Sequence, residues 1–541
     1  MIAADILAQV PVRGSGLFDP LYLDFLDGDP FVSGRFPSRH RDVDGWPGLA
    51  ERRRGAGGPP GMWAALAAAH ERWGAPQAAR RGLDELAAGR AVAVIAGQQP
   101  DALGGPLYTL HKALTAVALA RRFEARTGTR AVPMFWSANE DSDFEEVRTV
   151  RFLGAALEAH EVGLPASAHG AGGMVGGITP AALAESWECA AQAWRGLPGA
   201  GTVTAWLARA RERAADLGDA QAILLLAALG ESGLVVLDPR LDAFRAAARP
   251  LYARYLEKHE RIRGAVEAAG QELVARGYGL PIQPAQSEFS LFGVGGGARL
   301  KLDGPRAAAA LAAGRDLSPN VVLRPLVQDA LLPTVFLVAG PGEIAYLSQL
   351  REVYQELDVP MSPVFPRLTA TWLPAAAAAL VRELEVEPWE LVRDTDAAVR
   401  GLADRALPAP VRAAFERLRV EGNAQLRGFA ESAAAVDASL PQVVESARGK
   451  VDYQYARILE ALVAKSRTRL ERAHPQAPRL RHALSPGGRP QERRLAWLDL
   501  VARGGTAALA QARKLAEYHV ENALSGHVSH GLVTVPEGEA G

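Results

Sequence analysis

The chain has 541 residues, 60 of them basic and 61 acidic, for a formal net charge of -1, with 22% charged and 48% hydrophobic residues. That balance belongs to a soluble chain with an ample core; it excludes a disordered polyelectrolyte and argues against a protein that coats nucleic acid. The lone cysteine, Cys189, rules out an intramolecular disulfide and a cysteine-rich zinc site and points to the cytoplasm, while Arg outnumbers Lys 54 to six.

The first residues, MIAADILAQVPVRGSG, have neither the basic segment nor the apolar run of a signal peptide. The longest apolar runs, 222–230 and 375–381, fall short of the roughly 18 residues that span a membrane. Strand signals begin at residues 90–96, RAVAVIA, followed by the loop GQQPDALGGP and a helical pattern, LYTLHKALTAVALARRFEARTG, that closes at Gly128. TRAVPMFW supplies the next strand, so 91–136 reads as one βαβ unit of a parallel sheet buried on both faces. Further strand signals at GLVVLDPR (233–240), TVFLVAGPGEIAYL (334–347) and VPMSPVFPR (359–367) predict an α/β fold with a Rossmann-like, doubly wound core. The core is expected in three parts, 1–153, 221–267 and 326–375. Two connecting insertions separate them, 154–220 around HGAGGMVGGITP and 268–325 around the hairpin-like FGVGGGARLKLDG, each placed as a small lobe over the mouth of the sheet.

From about Pro374 the composition turns to Ala, Leu, Arg and Glu. Val411, Phe415, Leu418, Phe429, Ala433, Val436 and Leu440 recur at 3/4 spacing, as do Val444, Val451, Tyr455, Ile458 and Leu462. Ser439 and Pro441 stand where a helix start places a cap and an early proline. The pattern predicts an α-helical coiled-coil domain over 376–490, a hairpin on the order of 45 Å long; a bundle folded onto the core is the alternative. Gly422 and Gln425 interrupt the first stripe. Residues 491–541 add a helix and a strand-like GLVTVP and read as a return to the core, with the HVSH at 527–530 taken as solvated.

Three stretches carry candidate chemistry. In 96–112, Gly97, Gln98, Gln99 and Gly105 belong to a glycine-containing loop that opens a helix, where free N–H groups and the positive helix end would face phosphate oxygens. His111 and Lys112 on its first turns would add positive charge. The spacing is neither a Walker loop nor a dinucleotide fingerprint, and a satisfied buried His and a solvated Lys are the plain alternatives. In 135–147, Glu140, Asp141, Asp143, Glu145 and Glu146 follow Phe135 and Trp136 at a strand's carboxyl end, where they could hold an ammonium group or a Mg²⁺ on a nucleotide, or form a solvated turn. In 324–346, Gln328 and Asp329 precede a strand, Gly340 and Gly342 bracket Pro341, and Glu343 opens a helix: a turn that lets backbone approach a ligand, or one that caps itself. Asp238, Arg240 and Arg367 lie at two further strand ends. Cys189, with no His or Asn beside it, reads as inert packing, and no motif specifies a metal.

The stretches AGQQPDALGGPLYTLHKA, VPMFWSANEDSDFEEV, GLVVLDPR, RPLVQDALLPTVFLVAGPGEIAYLSQLREVY and VPMSPVFPR, in that order, resemble one family, the bacillithiol biosynthesis cysteine-adding enzymes called BshC. Asn139 and Ser142 stand where that family has Thr or Ala and His, and Asp101 where it has Gly. The resemblance implies a Rossmann-like core with two connecting insertions and a coiled-coil domain, similar to class I aminoacyl-tRNA synthetases and dimerising through the coiled coil. It implies a cytoplasmic ligase that adds L-cysteine to the amino group of glucosaminyl malate, giving bacillithiol. Amide formation from a carboxylate and an amine is uphill in water, so ATP or a related nucleotide is expected to activate the cysteine carboxyl, as an adenylate or an acyl phosphate. On that reading His111 and Lys112 supply transition-state charge, and Glu140, Asp141 and Asp143 orient the cysteine ammonium or the acceptor amine, one of them as general base. Gly97, Gln98, Gln99, Gly105, Trp136, Glu145, Asp238, Arg240, Gln328, Asp329, Gly340, Gly342, Glu343 and Arg367 would bind nucleotide and substrates. The rival readings are a non-catalytic nucleotide- or thiol-binding scaffold with a coiled-coil arm, and a tRNA-linked aminoacyl transferase, which the absence of a basic stripe with interleaved aromatics disfavours.

Overall fold

The computed structural model describes residues 6–383, 387–405, 407–473 and 479–536. They form two compact units, one made of the chain up to Ala375 and from Pro486 onward, the other Ala376–Ser485. No described helix is long and apolar enough to cross a membrane.

The first unit holds the thirteen described strands: β1 (Ile6–Pro11), β2 (Val92–Gln98), β3 (Ala131–Ser137), β4 (Thr149–Leu153), β5 (Ala159–Gly163), β6 (Val235–Leu237), β7 (Leu291–Gly295), β8 (Ala298–Lys301), β9 (Leu317–Pro319), β10 (Thr334–Ala339), β11 (Val364–Pro366), β12 (Ala370–Leu373) and β13 (Ser529–Thr534). Five of them form a wholly parallel sheet in the order β11-β10-β2-β3-β6, and each of the five runs expected as strands supplies one. Numbered by appearance within this sheet the order is 3-2-1-4-5, the doubly wound arrangement, and the winding direction reverses between β2 and β10. β3 and β10 are buried throughout and β2 is buried as far as Gly97. Each Val or Ile sealed there stabilises the fold by about 1.5–3 kcal/mol, and burial on both faces explains why these runs show no alternation. Helix Leu107–Thr127 lies against β2 and β3. Helix Gln77–Ala87 meets the sheet at Gly82, where an added Cβ would come within 3.0 Å of Val132 Cγ1.

The insertions lie against each other. β4 and β5 form a hairpin, and β8-β7-β9 a small antiparallel sheet. The glycine loop of the first insertion is tied to the hairpin of the second: Arg299 N donates to Gly172 O at 2.7 Å and Met174 N to Gly297 O at 3.0 Å. Helix Asp242–Ala275 runs continuously through the junction expected between residues 267 and 268. The C-terminal segment returns to the first unit in a fourth sheet, β1-β13-β12, separate from the parallel one. His530, expected in a solvated segment, is buried in β13 instead, its ring nitrogens 2.8 and 2.9 Å from the hydroxyls of Thr369 and Thr371, and burial pushes its pKa down to about 4. The other histidine of that HVSH run, His527, is exposed.

The second unit closes at Ser485 rather than at 490. Its helices Ala409–Ala433 and Leu440–Ala473 run antiparallel, with Asn423 Nδ2 donating to Asp452 Oδ1 at 2.7 Å and Phe415 edge-on to Tyr455. Asp437 Oδ1 fixes the turn by accepting from Ser439 N and Oγ at 2.8 and 2.6 Å. Gly422 faces the Tyr455 hydroxyl, which accounts for the break in the apolar stripe. The stripe does not close into one buried seam: Phe415 and Ala433 are buried, whereas Leu418, Phe429 and Val436 are 52%, 62% and 81% exposed.

Candidate active site

Where the winding reverses, the ends of β2, β3 and β10 line a cavity of about 370 Å³. Gly97 lies in register with Trp136, and a Cβ on it would sit 2.9 Å from Trp136 O, so glycine alone lets β2 reach the cavity edge beside β3. Tyr108 and Lys112, four residues apart on helix Leu107–Thr127, share the face turned to the cavity. Lys112 Nζ donates to Gly97 O at 2.8 Å and Gln98 Oε1 at 2.9 Å and pairs with Glu343 Oε2 at 2.6 Å. The same Glu343 oxygen accepts from Gly340 N at 2.9 Å, so Glu343 caps its own helix and holds the lysine at once. Burial pushes the Lys112 pKa down while Glu343 opposes the shift. Arg324 donates to the Tyr346 hydroxyl at 2.6 Å, and burial lifts the Tyr346 phenol to about 12. Arg367 makes a two-pronged pair with Glu492, at 2.6 and 3.0 Å, and its guanidinium lies 5.6 Å from the Tyr108 ring centre.

The opposite wall is acidic. Glu140 accepts from Arg245 at 2.8 and 2.9 Å and from Ser318 Oγ at 2.9 Å, so it is fully engaged, and burial raises its pKa against the pull of Arg245. Asp141 has no ion-pair partner among the described residues and lines the cavity with Glu146. Glu146 keeps much of its surface exposed, yet desolvation, with the charges of Asp141 and Asp143, pushes its carboxyl pKa up.

Eleven of the expected site residues thus share one cavity: Gly97, Gln98, Gln99, Lys112, Trp136, Glu140, Asp141, Gly340, Gly342, Glu343 and Arg367. The others do not line it. His111 points to the far side of its helix, fully buried, with Nε2 accepting from Trp372 Nε1 at 2.9 Å and Nδ1 3.3 Å from Glu492 Oε2. Gly105, at φ +97°, is covered by the C-terminal return: Trp497 N donates to Gly105 O, and Leu107 N, the first donor of the helix, is taken by Leu495 O at 2.8 Å. The open phosphate cradle expected at this helix start is therefore closed at these groups. Asp143 caps helix Phe144–Val147 through Glu146 N, and Glu145 pairs outward with Arg148. Arg240 pairs with both Asp238 and Asp216, and only Pro239, between Asp238 and Arg240, reaches the cavity. Asp329 is buried away from it, accepting from Tyr354 Oη at 3.0 Å and Ser362 N at 2.9 Å, and Gln328 donates to Asp329.

Glu146, named in the acidic cluster though not among the binding residues, lines the cavity too, and Tyr108, Arg299, Asn320, Arg324, Tyr346 and Arg493 line it without having been singled out. Spacing could have found two of them, since Tyr108 precedes Lys112 by four positions and Tyr346 follows Glu343 by three. Among the described residues no cluster of three or more His, Cys, Asp or Glu has the geometry to hold a metal ion.

Comparison with known proteins bears on the whole chain. The family model described as "Bacillithiol biosynthesis BshC, N-terminal Rossmann-like domain" matches residues 8–368, and that of the "C-terminal coiled-coil domain" matches 370–521. The chain belongs to the BshC family. Curated BshC relatives bearing the name "Putative cysteine ligase BshC" include that of Koribacter versatilis, 30% identical over 82% of this chain and 85% of the relative. That of Geobacillus kaustophilus is 29% identical, covering 79% and 83%, and that of Salinibacter ruber 26%, covering 93% and 95%. The BshC coiled-coil match continues past Ser485 and takes in most of helix Trp497–Leu524, which here belongs to the first unit.

Proposed function

We propose that the cavity joins the carboxyl group of L-cysteine to the amino group of glucosaminyl malate, forming bacillithiol, with ATP or a related nucleotide as co-substrate. The observation that carries the reading is one cavity with a cationic wall at the ends of β2 and β10 and a carboxylate wall after β3. Lys112 and Arg324 fit an anionic phosphate chain: Arg324 has no carboxylate partner among the described residues, and Glu343 opposes the downward push of burial on the Lys112 ammonium. A nucleoside triphosphate held there would supply the leaving group on the cysteine carboxyl, and a Mg²⁺ accompanying its phosphates would be held largely by phosphate and water oxygens. Lys112 stabilises negative charge growing on the reacting carboxyl oxygen. Asp141 and Glu146 orient the acceptor amine. Glu146 takes the proton that the amine gives up as the C–N bond forms and the bond to the leaving group breaks; its raised pKa makes it a stronger base than an ordinary carboxylate.

The test is a reaction of purified protein with cysteine carrying ¹⁸O in its carboxyl group, glucosaminyl malate and ATP. Bacillithiol should form, with label passing to AMP or to phosphate; absence of bacillithiol with all label retained in cysteine overturns the reading. The proposal includes a cytoplasmic homodimer joined through the helical unit, whose Leu418, Phe429, Val436 and Ile458 expose apolar surface. A monomer by light scattering would remove the dimer.

A further inference from the structure

A second cavity, about 850 Å³, adjoins the first and shares with it Gln99, Asp141, Glu146, Arg299, Asn320 and Val321. Its outer wall belongs to the second insertion, with Phe289, Phe292, Arg299 and Lys301 among its lining residues. Arg299 and Lys301 are two apart on β8, so their side chains leave the same face of the strand, separated by about 6.6 Å of rise. Neither has a carboxylate partner within ion-pair distance among the described residues. Arg299 NH2 donates to Pro319 O at 2.7 Å, its guanidinium carbon lies 4.1 Å from the Phe292 ring centre, and its Nε is buried without a partner. A guanidinium held over a ring and anchored by one backbone acceptor, with no carboxylate of the protein paired to it, keeps its charge for a ligand carboxylate. The rest of this chamber is mostly acidic, with Asp141, Asp143, Glu146, Glu260, Glu288 and Asp303 against Arg263, which Glu260 already pairs, and that balance disfavours a polyphosphate. A solute that joins one ammonium group, a hydroxyl-rich ring and separate carboxylates matches both signs of charge.

Resting on the ligase reading above, we propose that the outer chamber is the acceptor subsite and that the Arg299–Lys301 face of β8 binds the carboxylates of the malyl group, which directs the amine past Asp141 and Glu146 into the inner cavity. Phe289 and Phe292 offer apolar surface to the sugar ring. The second insertion then chooses the acceptor, while the sheet ends handle cysteine and nucleotide.

The test compares glucosaminyl malate with methyl glucosaminide, which has the amine and no carboxylate, in the wild type, Arg299→Gln and Lys301→Gln. Arg299→Gln should raise KM for glucosaminyl malate about 10- to 100-fold and Lys301→Gln about 3- to 10-fold. Both should erase most of the preference over methyl glucosaminide, with KM for cysteine and ATP within twofold of wild type. Lys301 is exposed at a strand end, so its variant remains informative if Arg299→Gln folds poorly. An undiminished preference in folded variants, or a rise in KM for ATP or cysteine instead, overturns the subsite. Calorimetric binding of glucosaminyl malate separates this from the parent reading: Arg299-dependent binding without ligation keeps the subsite and removes the ligase, and binding that ignores Arg299 removes the subsite.

Discussion

His111 and Lys112 follow one another in the chain, and about 100° of helical rotation sends them to different regions. On the cleft side, Lys112, Glu343 and the ends of β2 and β10 border a cavity and hold one another through single shared atoms. On the far side, Arg367, Glu492, His111 and Trp372 form a chain sealed from solvent, with Arg367 alone also reaching the cavity. Burial would raise the Glu492 pKa, but Arg367 and His111 outweigh it and hold the carboxyl well below its ordinary range. Burial also pushes the His111 pKa down, against the pull of the same carboxylate. Buried charge is thus present in both regions, and what separates them is whether a solute can reach it.

Breaking the sealed region should cost the most. Glu492→Ala leaves the buried Arg367 guanidinium without its counter-charge and should remove about 3–5 kcal/mol from unfolding in urea. A loss under 1 kcal/mol would mean that water reaches Arg367 from the cavity. On the cleft side, Lys112→Ala should lower kcat/KM for ligation by about 10²–10³, equivalent to about 2.7–4 kcal/mol, and should cost less stability than Glu492→Ala because water from the cavity can reach the Glu343 carboxylate left behind. Wild-type turnover in that variant would show that the lysine only braces Gly97.

The loop joining the two regions offers a finer probe. Asp101 is buried with no cation paired to it, and burial lifts its carboxyl to about 7 although Leu103 N–H opposes the shift. From the ordinary value of 3.8 up to about 7 the native protein binds the proton that the unfolded chain has released, so stability falls as pH rises through that window. Asp101→Asn should lie close to wild type near pH 4 and exceed it by roughly 4 kcal/mol at pH 8, read from thermal unfolding at the two pH values. The smallest effect belongs to His111→Leu, which strips Trp372 Nε1 of its acceptor and should cost about 1–2 kcal/mol while ligation at permissive temperature stays within twofold. A large loss of kcat there would mean that the far side shapes the reaction after all.

The contrast also explains what the chain alone could disclose. Strands sealed on both faces, such as VAVIA and VPMFW, stand out because nothing polar interrupts them, and each supplied its expected strand of the sheet. Loops at their carboxyl ends inherit their place from the sheet, which is why Gly97, Lys112, Asp141 and Gly340 meet. Direction around a helix is a tertiary matter: His111 and Lys112 differ by one position, and only Trp372 and Glu492 decide which of them is buried for structure. Arg299 comes from a hairpin nearly 200 positions downstream of Lys112, and the closure of the helix start by Leu495 comes from a segment beyond the second unit. No local pattern marks contacts at that range. The coiled-coil stripe was legible as periodicity, yet periodicity does not say that Phe429 and Val436 stay uncovered.

The pair of Arg367 and Glu492 also sets an order of events during synthesis. The two residues are 125 positions apart, with the whole second unit between them. At about 5–20 residues per second, roughly 6–25 s pass between their emergence from the ribosome. Through that interval the parallel sheet has all five strands, yet Arg367 has no counter-ion, the start of helix Leu107–Thr127 has no cover and β1 has no neighbour to pair with. The nascent α/β unit must therefore wait, open on that side, until the helical unit has been made, and a holdase that favours exposed sheet edges would find its longest-lived target there.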